Sequence, residues 1–438
     1  MNKANKILGK KLYFIGLGIS NLAAAKSLKS GNEIFVYDDK LTGIDDFKFV
    51  HYDEIDFAKL DYIVLAPSIP LEFPNVHPAV ALAHKNNVKI IGDIELFFLQ
   101  FQQLPKIIAV TGTNGKSTTV TLIRHILSNS LSKNVYLGGN VGIAMFDLPI
   151  DENGIYVVEI SSFQLDLLID LHFDYSVLLN ITPDHLDRHN NFEGYVKSKL
   201  RIFQQRNKTN IAVICSDSPV TYNIFDSLEN TKVKFSTNEL KAHNNGLYYK
   251  DSLIADNLID LKRFSNPQNL LAALIIAELQ KVSLKEIKPI LDEFQALEHR
   301  FEKIYHDDNI TIYNDSKATN AESTENALKQ LKNIYWIAGG VAKEGGIANL
   351  TKYFANIDKI YLMGEASNLF YQQIDNKVDV EKFANNFETL IKKCIDDAKI
   401  SVKPVNILFS PACASFDMFA NYVKRGECFK ELVKRYVK

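Results

Sequence analysis

Residues 106–118 read Lys-Ile-Ile-Ala-Val-Thr-Gly-Thr-Asn-Gly-Lys-Ser-Thr, an apolar run that enters a glycine-containing turn and leaves it on Lys-Ser-Thr. A short apolar run bounded by such a turn reads as a buried strand, Lys106 to Val110, with a helix following to about Leu127. The turn presents backbone N–H groups and a helix N-terminus, both suited to oxyanions. Gly112 and Gly115 allow the sharp bend, Lys116 can reach β- and γ-phosphates, and the Ser117 hydroxyl can sit on Mg²⁺. Thr113, Asn114 and Thr118 belong to the same phosphate-facing turn. A strict Walker loop asks for glycine where Val110 stands, so the turn is a shortened variant.

Outward from this loop, strands are expected at Ile155–Ile160, Tyr175–Leu179 and Ile211–Cys215, with a Leu- and Ala-rich helix at Asn269–Leu279. Upstream, Lys11–Ile15, Glu33–Tyr37 and Tyr62–Leu65 form one series; downstream, Ile310–Tyr313, Ile334–Ala338, Lys359–Met363 and Val405–Phe409 form another. Strands alternating with helices imply mostly parallel sheets covered on both faces. The reading is therefore α/β in three domains: Rossmann-like over 1–98, P-loop ATPase-like with a mostly parallel sheet over 99–297, and Rossmann-like over 298–438. A chain of 438 residues suits three domains of about 100 to 200 residues each.

Composition excludes other classes. Fifty Lys plus Arg against 52 Asp plus Glu leave a formal net charge of -2, without the positive field that holds nucleic acid or anionic lipid. No uninterrupted apolar stretch approaches the ~20 residues that span a bilayer. Cys215, Cys394, Cys413 and Cys428 are scattered and read as free thiols of a reducing compartment. Lys3, Lys6, Lys10 and Lys11 before Leu12–Ile19 imitate a secretory signal, but Gly16 and Gly18 break the run into a strand and a turn.

Several strand ends carry chemistry. Glu159 ends the strand after the loop, where a carboxylate can help hold Mg²⁺. Residues 180–189 read Asn-Ile-Thr-Pro-Asp-His-Leu-Asp-Arg-His. His185 and His189 are four apart, as in a helical zinc pair, but lack a recognisable third ligand, so His185 is read as part of a magnesium and phosphate site. In the first series, Gly16-Leu17-Gly18 carries two fingerprint glycines, with Asn21 replacing the third and Asp38 twenty positions after Gly18. A sugar nucleotide, NAD, or a simple turn with a solvated Asp all remain open from those residues. Residues 314–320 (Asn-Asp-Ser-Lys-Ala-Thr-Asn) and 410–417 (Ser-Pro-Ala-Cys-Ala-Ser-Phe-Asp) are hydroxyl-rich strand-to-helix turns, suited either to carboxylate binding or to helix capping. Cys413 has no assignable base and reads as a small buried residue.

Together these blocks resemble the Mur ligase family across essentially the whole chain. The resemblance is carried by T-G-T-N-G-K-S-T at 111–118, G-G-N-V-G at 138–142, V-V-E-I-S-S-F-Q-L at 157–165, N-I-T-P-D-H-L-D-R-H at 180–189 and K-L-R-I-F at 199–203. H-R-F-E at 299–302, N-D-S-K-A-T-N at 314–320 and S-P-A-C-A-S-F-D at 410–417 complete it, and the last two, with S-S-F-Q-L at 161–165, point to the D-glutamate-adding branch. The resemblance implies a bacterial cytoplasmic enzyme of peptidoglycan synthesis that joins D-glutamate to UDP-N-acetylmuramoyl-L-alanine, using ATP and Mg²⁺, with two metal ions and a monomeric chain. It implies that Lys116 and Ser117 handle the ATP phosphates and first magnesium, that Glu159 helps hold that ion and that His185 supports a second. Lys199 matches a lysine that carries a carbamate in relatives. Asn269, Arg300 and Asp315 match ATP-lining positions; Ser20, Asp38, Asp39, Asn140 and Ser161 match or lie near the UDP-sugar site; Thr319, Lys343, Ser415 and Tyr422 match the D-glutamate site. The chain departs from relatives at Ala66-Pro67-Ser68, Gln268 and Val341. Competing readings are a folylpolyglutamate-synthase-like enzyme, a nucleotide-binding regulator without chemistry, and an NAD-dependent dehydrogenase.

Overall fold

The structure is a computed structural model and describes residues 7–141, 143–204, 210–243, 246–256, 264, 266–295, 297–343, 345–383 and 386–437. The chain packs as two compact units: Met1–Leu258 with Pro267–Glu293, and Ile259–Asn266 with Phe294–Lys438.

The first unit contains two parallel sheets. One has the spatial order Lys48–Phe49, Glu33–Tyr37, Lys11–Ile15, Tyr62–Leu65, Lys89–Ile91, every pairing parallel. The chain starts in the middle, runs to one edge and then to the other, so the order reverses between Lys11–Ile15 and Tyr62–Leu65. Ligand crevices open at the carboxyl ends of strands at such a reversal. Asn21 is buried there. Its side-chain amide donates to the Gly16 carbonyl at 2.9 Å and to the Val64 carbonyl at 3.3 Å. A polar side chain, where a dinucleotide fingerprint has glycine, thus ties the ends of the two central strands together.

The second sheet has the order Thr231–Phe235, Ile211–Cys215, Tyr175–Leu178, Lys106–Thr111, Ile155–Glu159, Val135–Gly139, again all parallel. Lys106–Thr111 lies inside it and is buried from Ile107 onward, as a strand covered on both faces must be. The helices Lys116–Ser130 and Pro267–Leu279 pack together over it. The second starts two residues before the expected Asn269 because Pro267 suits a first helical turn. A three-stranded antiparallel sheet, Leu240–His243, Gly246–Tyr249 and Ser252–Ala255, was not expected; runs of four residues are too short to show a period.

One hydrophobic core joins the two parallel sheets of this unit. The helix Asp93–Phe98 is buried throughout, and Phe97, Phe98 and Phe101 pack around Tyr156 with ring centroids 5.6–5.8 Å away. Glu95 on that helix is also buried. Its carboxylate accepts the backbone N–H groups of Ile169, Asp170 and Leu171 at 3.0–3.2 Å, which oppose the upward push of burial on its pKa.

The larger sheet of the second unit is ordered Glu302–His306, Ile310–Asn314, Val405–Phe409, Ile334–Gly339, Ile357–Met363, Asp379–Lys382. The first pairing is antiparallel and the rest are parallel. Val405–Phe409, late in the chain, inserts between Ile310–Asn314 and Ile334–Gly339, so the carboxyl ends of all three are neighbours. Core clusters cover both faces. Among the described residues no helix is long and apolar enough to cross a membrane, and the four cysteines are free thiols.

Candidate active site

The phosphate loop leaves the carboxyl end of Lys106–Thr111 between the ends of Ile155–Glu159 and Tyr175–Leu178. Gly115 has φ +89°, the left-handed region that favours glycine. A Cβ there would also lie 2.2 Å from the Asn269 side-chain oxygen, so the close approach of the two helices requires its absence. Lys116 folds over the loop, its ammonium donating to the carbonyls of Gly112 and Thr113 at 2.8 and 2.7 Å. Ser117 and Thr118 are buried at the start of the helix, and the Thr118 hydroxyl has no hydrogen-bond partner among the described residues. Asn269 is 1% exposed and accepts from the Thr119 hydroxyl at 3.3 Å.

The flanking strand ends supply the acidic and basic groups. Glu159 is 2% exposed and accepts from the Asn140 side-chain amide at 3.1 Å, while Asn140 N–H donates to the Glu159 carbonyl at 2.9 Å. Asn140 and Glu159, matched by resemblance to different ligands, are thus bonded directly to each other. Ser161 caps the next helix in a reciprocal box with Gln164. Gly142, the last residue of the quoted 138–142 block, lies outside the described residues. His185 sits at φ +53° ahead of the four-residue helix Leu186–His189, beside Asp184. His189 lies on the same helix, 3.0 Å from the Ser162 hydroxyl through Nε2, and burial holds its pKa down at about 4.

Lys199 lies on the helix Phe192–Leu200, 1% exposed, with Nζ donating to the Gly112 carbonyl at 2.9 Å and lying 4.7 Å from the Tyr195 ring centroid. Burial pushes its pKa well below the ordinary value, and Lys116 adds to the shift; Asp184, Glu159 and Asp166 oppose it. Burial and the neighbouring Lys116 ammonium thus both disfavour the charged form of this amine beside the loop.

In the first sheet, Ser20 lies in the helix that follows the Gly16–Gly18 turn, beside Asp93, whose carboxyl burial pushes up to about 6. Asp38 accepts the Leu17 N–H at 2.8 Å and the Lys40 N–H at 2.9 Å, so one of its roles is to shape the turn. Asp39 lies 3.3 Å from His77. The substituted segment Ala66-Pro67-Ser68 lies at the same edge, with Ala66 against Gly16.

Arg300 and Asp315, matched to ATP, belong to the second unit, apart from the loop in the division of the chain. Asp315 accepts the Phe301 N–H at 3.0 Å and the Ser410 hydroxyl at 2.7 Å, and burial pushes its carboxyl up to about 7. Val341–Ala342 pair with Cys413–Ala414 in a two-stranded ribbon, which joins the Lys343 segment to the one carrying Ser415. Ser415 is buried; Thr319 and Tyr422 are half-buried. The Tyr422 hydroxyl accepts from Lys317 at 2.8 Å, and that ammonium lies 4.5 Å from the Tyr422 ring centroid.

Four residues inside the quoted blocks or near them had no assigned role. Asn180 cradles the loop: its oxygen accepts the Asn114 N–H at 2.9 Å, and its amide donates to the Asn114 carbonyl and to Gln268. Tyr195 lies 3.2 Å from the Thr113 hydroxyl. Lys317 has just been described. Arg425 is 0% exposed and bonds Ser316 and the Cys413 carbonyl, buckling the two hydroxyl-rich turns together. Asn180 and Lys317 were legible as polar groups at strand ends, whereas Tyr195 and Arg425 lie inside helices without a sequence signal.

The family described as Mur ligase middle domain matches residues 110–276, and the one described as Mur ligase, glutamate ligase domain matches 299–412. A UDP-N-acetylmuramoylalanine--D-glutamate ligase of Rickettsia prowazekii is 38% identical to this chain, covering 98% of each. One of Wolbachia pipientis is 35% identical, covering 97% of this chain and 96% of its own. Among solved structures, UDP-N-acetylmuramate-alanine ligase of Thermotoga maritima superposes with a TM-score of 0.59 at 18% identity, over 97% of this chain and 99% of that one, a likeness of fold. With its phosphate loop seated between Glu159 and Asn180 and near-full-length relatives above 30% identity, this chain belongs to the Mur ligase family.

Proposed function

We infer that the chain is an ATP-dependent amide ligase of peptidoglycan synthesis that joins the amine of D-glutamate to the alanine carboxyl of UDP-N-acetylmuramoyl-L-alanine. A free carboxylate is a poor electrophile. Transfer of the γ-phosphoryl group from ATP makes an acyl phosphate and ADP; the D-glutamate amine then attacks the carbonyl carbon, and inorganic phosphate leaves from the tetrahedral adduct as the amide forms. The observation that carries the reading is the loop 111–118, whose glycine-dependent bend, Lys116 and buried hydroxyls lie beside a carboxylate strand end and the buried Lys199.

The residues present fit Mg²⁺. Ser117 and Glu159 would hold a first ion and His185 would support a second, a hard oxygen and imidazole chemistry, and the Thr118 hydroxyl is orphaned in the turn that carries Ser117. When bound, the ion would offset phosphate charge and orient the transferred group. Lys199, whose charged form burial disfavours, would join His185 at the second ion as a carbamate: its deprotonated amine would add to CO₂ and shed one proton, leaving an anionic oxygen donor and reversing its sign towards the metal. Asn269, Arg300 and Asp315 serve ATP; Ser20, Asp38, Asp39, Asn140 and Ser161 serve the UDP-sugar; Thr319, Lys343, Ser415 and Tyr422 serve D-glutamate. An acidic amino acid suits that last set, which offers an ammonium and hydroxyl donors. We assign domains 1–98, 99–297 and 298–438 to UDP-sugar, ATP and D-glutamate respectively, in a monomeric bacterial cytoplasmic enzyme.

Purified protein given all three substrates and Mg²⁺ should release phosphate, and omission of any one should abolish release. Equal turnover with L-glutamate or with a folate acceptor would overturn the reading.

A further inference from the structure

The segment that carries His185 is short. Its helix is only four residues long, Leu186–His189, and left-handed residues stand at both ends, His185 at φ +53° and Asn190 at φ +70°. Such a segment needs an outside anchor to hold one orientation. Arg188 supplies it. The guanidinium donates through Nη2 to the Ile69 carbonyl at 2.8 Å and through Nη1 to the Phe73 carbonyl at 3.0 Å, reaching more than a hundred residues back along the chain. It also lies 5.2 Å from the ring centroid of Phe163, whose other ring neighbours are His185 at 4.9 Å and His189 at 5.4 Å. The Arg188 N–H donates to the His185 carbonyl at 3.0 Å, so a shift of Arg188 is transmitted to His185 within one turn.

The far end of the tether reaches the first sheet. Ile69 closes a turn on Ala66, and both pack on Gly16: a Cβ at Gly16 would lie 2.7 Å from the Ala66 Cβ and 2.9 Å from the Ile69 Cδ1. Gly16 opens the Gly16–Gly18 turn before Ser20. One guanidinium therefore bridges, inside a single compact unit, the turn read as holding the sugar nucleotide and the histidine read as holding metal. A planar fork is suited to two carbonyls on one loop, whereas an ammonium is a point donor with no fixed plane.

We propose that Arg188 is a positioning residue that sets the spacing between the Gly16–Ser20 turn and His185, so that a substrate anchored by its nucleotide end presents its distant carboxyl at the phosphate loop. The proposal rests on the function inferred above, and its failure is separable from a failure of that reading. The turn itself has its own supports, Asp38 and Asn21, and stays formed without Arg188.

Calorimetry on the full chain tests this with two probes, UDP alone and UDP-N-acetylmuramoyl-L-alanine. In Arg188→Met, which keeps the apolar stem over Phe163, Kd for the full substrate should rise tenfold or more while Kd for UDP stays within twofold. KM for the sugar nucleotide should rise in step, with KM for ATP and D-glutamate within twofold. Arg188→Lys should fall between, and millimolar guanidinium should recover part of the lost affinity in Arg188→Ala. If Arg188→Met does not fold, Arg188→Lys and the guanidinium titration carry the test. An unchanged Kd for the full substrate, or equal losses for UDP and the full substrate, overturns the proposal. Wild-type protein that binds neither probe overturns the functional reading instead.

Discussion

Gly115→Ala tests the phosphate loop at its tightest point. The new side chain meets two obstacles. The backbone at φ +89° is left-handed, which costs a non-glycine residue about 1–2 kcal/mol. The added Cβ would lie 2.2 Å from the Asn269 side-chain oxygen and 3.3 Å from the Leu179 Cδ1, so the Asn269 amide must swing away. That movement breaks its bond from the Thr119 hydroxyl, which is 0% exposed; a buried hydroxyl left without a partner costs about 1–3 kcal/mol. The total strain is about 2–5 kcal/mol if the loop keeps its shape. The loop can relieve this by opening, and the cost then appears as lost affinity, since each 1.4 kcal/mol is about tenfold in Kd. We expect ATP with Mg²⁺ to bind at least tenfold more weakly by calorimetry, with UDP affinity unaltered because its turn lies on the other sheet. An alanine variant that binds ATP within twofold of wild type and melts at the same temperature would refute both the clash and the role of the loop.

Three further outcomes follow from buried charge. Lys199→Met should abolish phosphate release yet raise stability near neutral pH in bicarbonate-free buffer: the folded state holds the lysine's proton less tightly than the unfolded state, so its destabilising effect fades only as pH rises towards 10.5. Denaturation curves at pH 7 and pH 10 check this; a less stable methionine variant at pH 7 would contradict it. Asp315, raised to about 7 from 3.8, has the opposite dependence, since folding favours its protonated form. It stabilises the second unit fully below about pH 4 and loses that contribution as pH rises through 7, at up to about 1.4 kcal/mol per pH unit. Asp315→Asn should flatten the slope, and an unchanged pH profile would exclude the carboxyl as its source. Glu159→Gln keeps the shape and an oxygen for Asn140 but removes the charge, so the Mg²⁺ concentration for half-maximal activity should rise about tenfold or more. An unaltered Mg²⁺ requirement would remove Glu159 from the metal site.

The alternating apolar runs determined the three strand-helix series, because parallel strands buried on both faces are continuous in hydrophobicity. Lys11–Ile15, Glu33–Tyr37, Tyr62–Leu65 and Val405–Phe409 have the expected bounds, and Lys106–Thr111 extends only one residue further. The loop at 111–118 was equally legible, since its bend depends on local backbone freedom at Gly115 and its charge on Lys116. What sequence could not supply was anything made by two distant segments. Lys199 was singled out only by resemblance, and the physical reason for it, burial against the Gly112 carbonyl and near Lys116 that disfavours its charged form, exists only in the folded chain. Arg425 and Tyr195 gain their roles only from the carbonyls and hydroxyls that packing sets beside them. Strand order is decided at the same level: the late strand Val405–Phe409 slides between two earlier ones, so the turns that follow them converge. Periodicity and turn chemistry are properties of neighbours in the chain, whereas desolvation and long-range hydrogen bonds exist only once the chain has closed on itself.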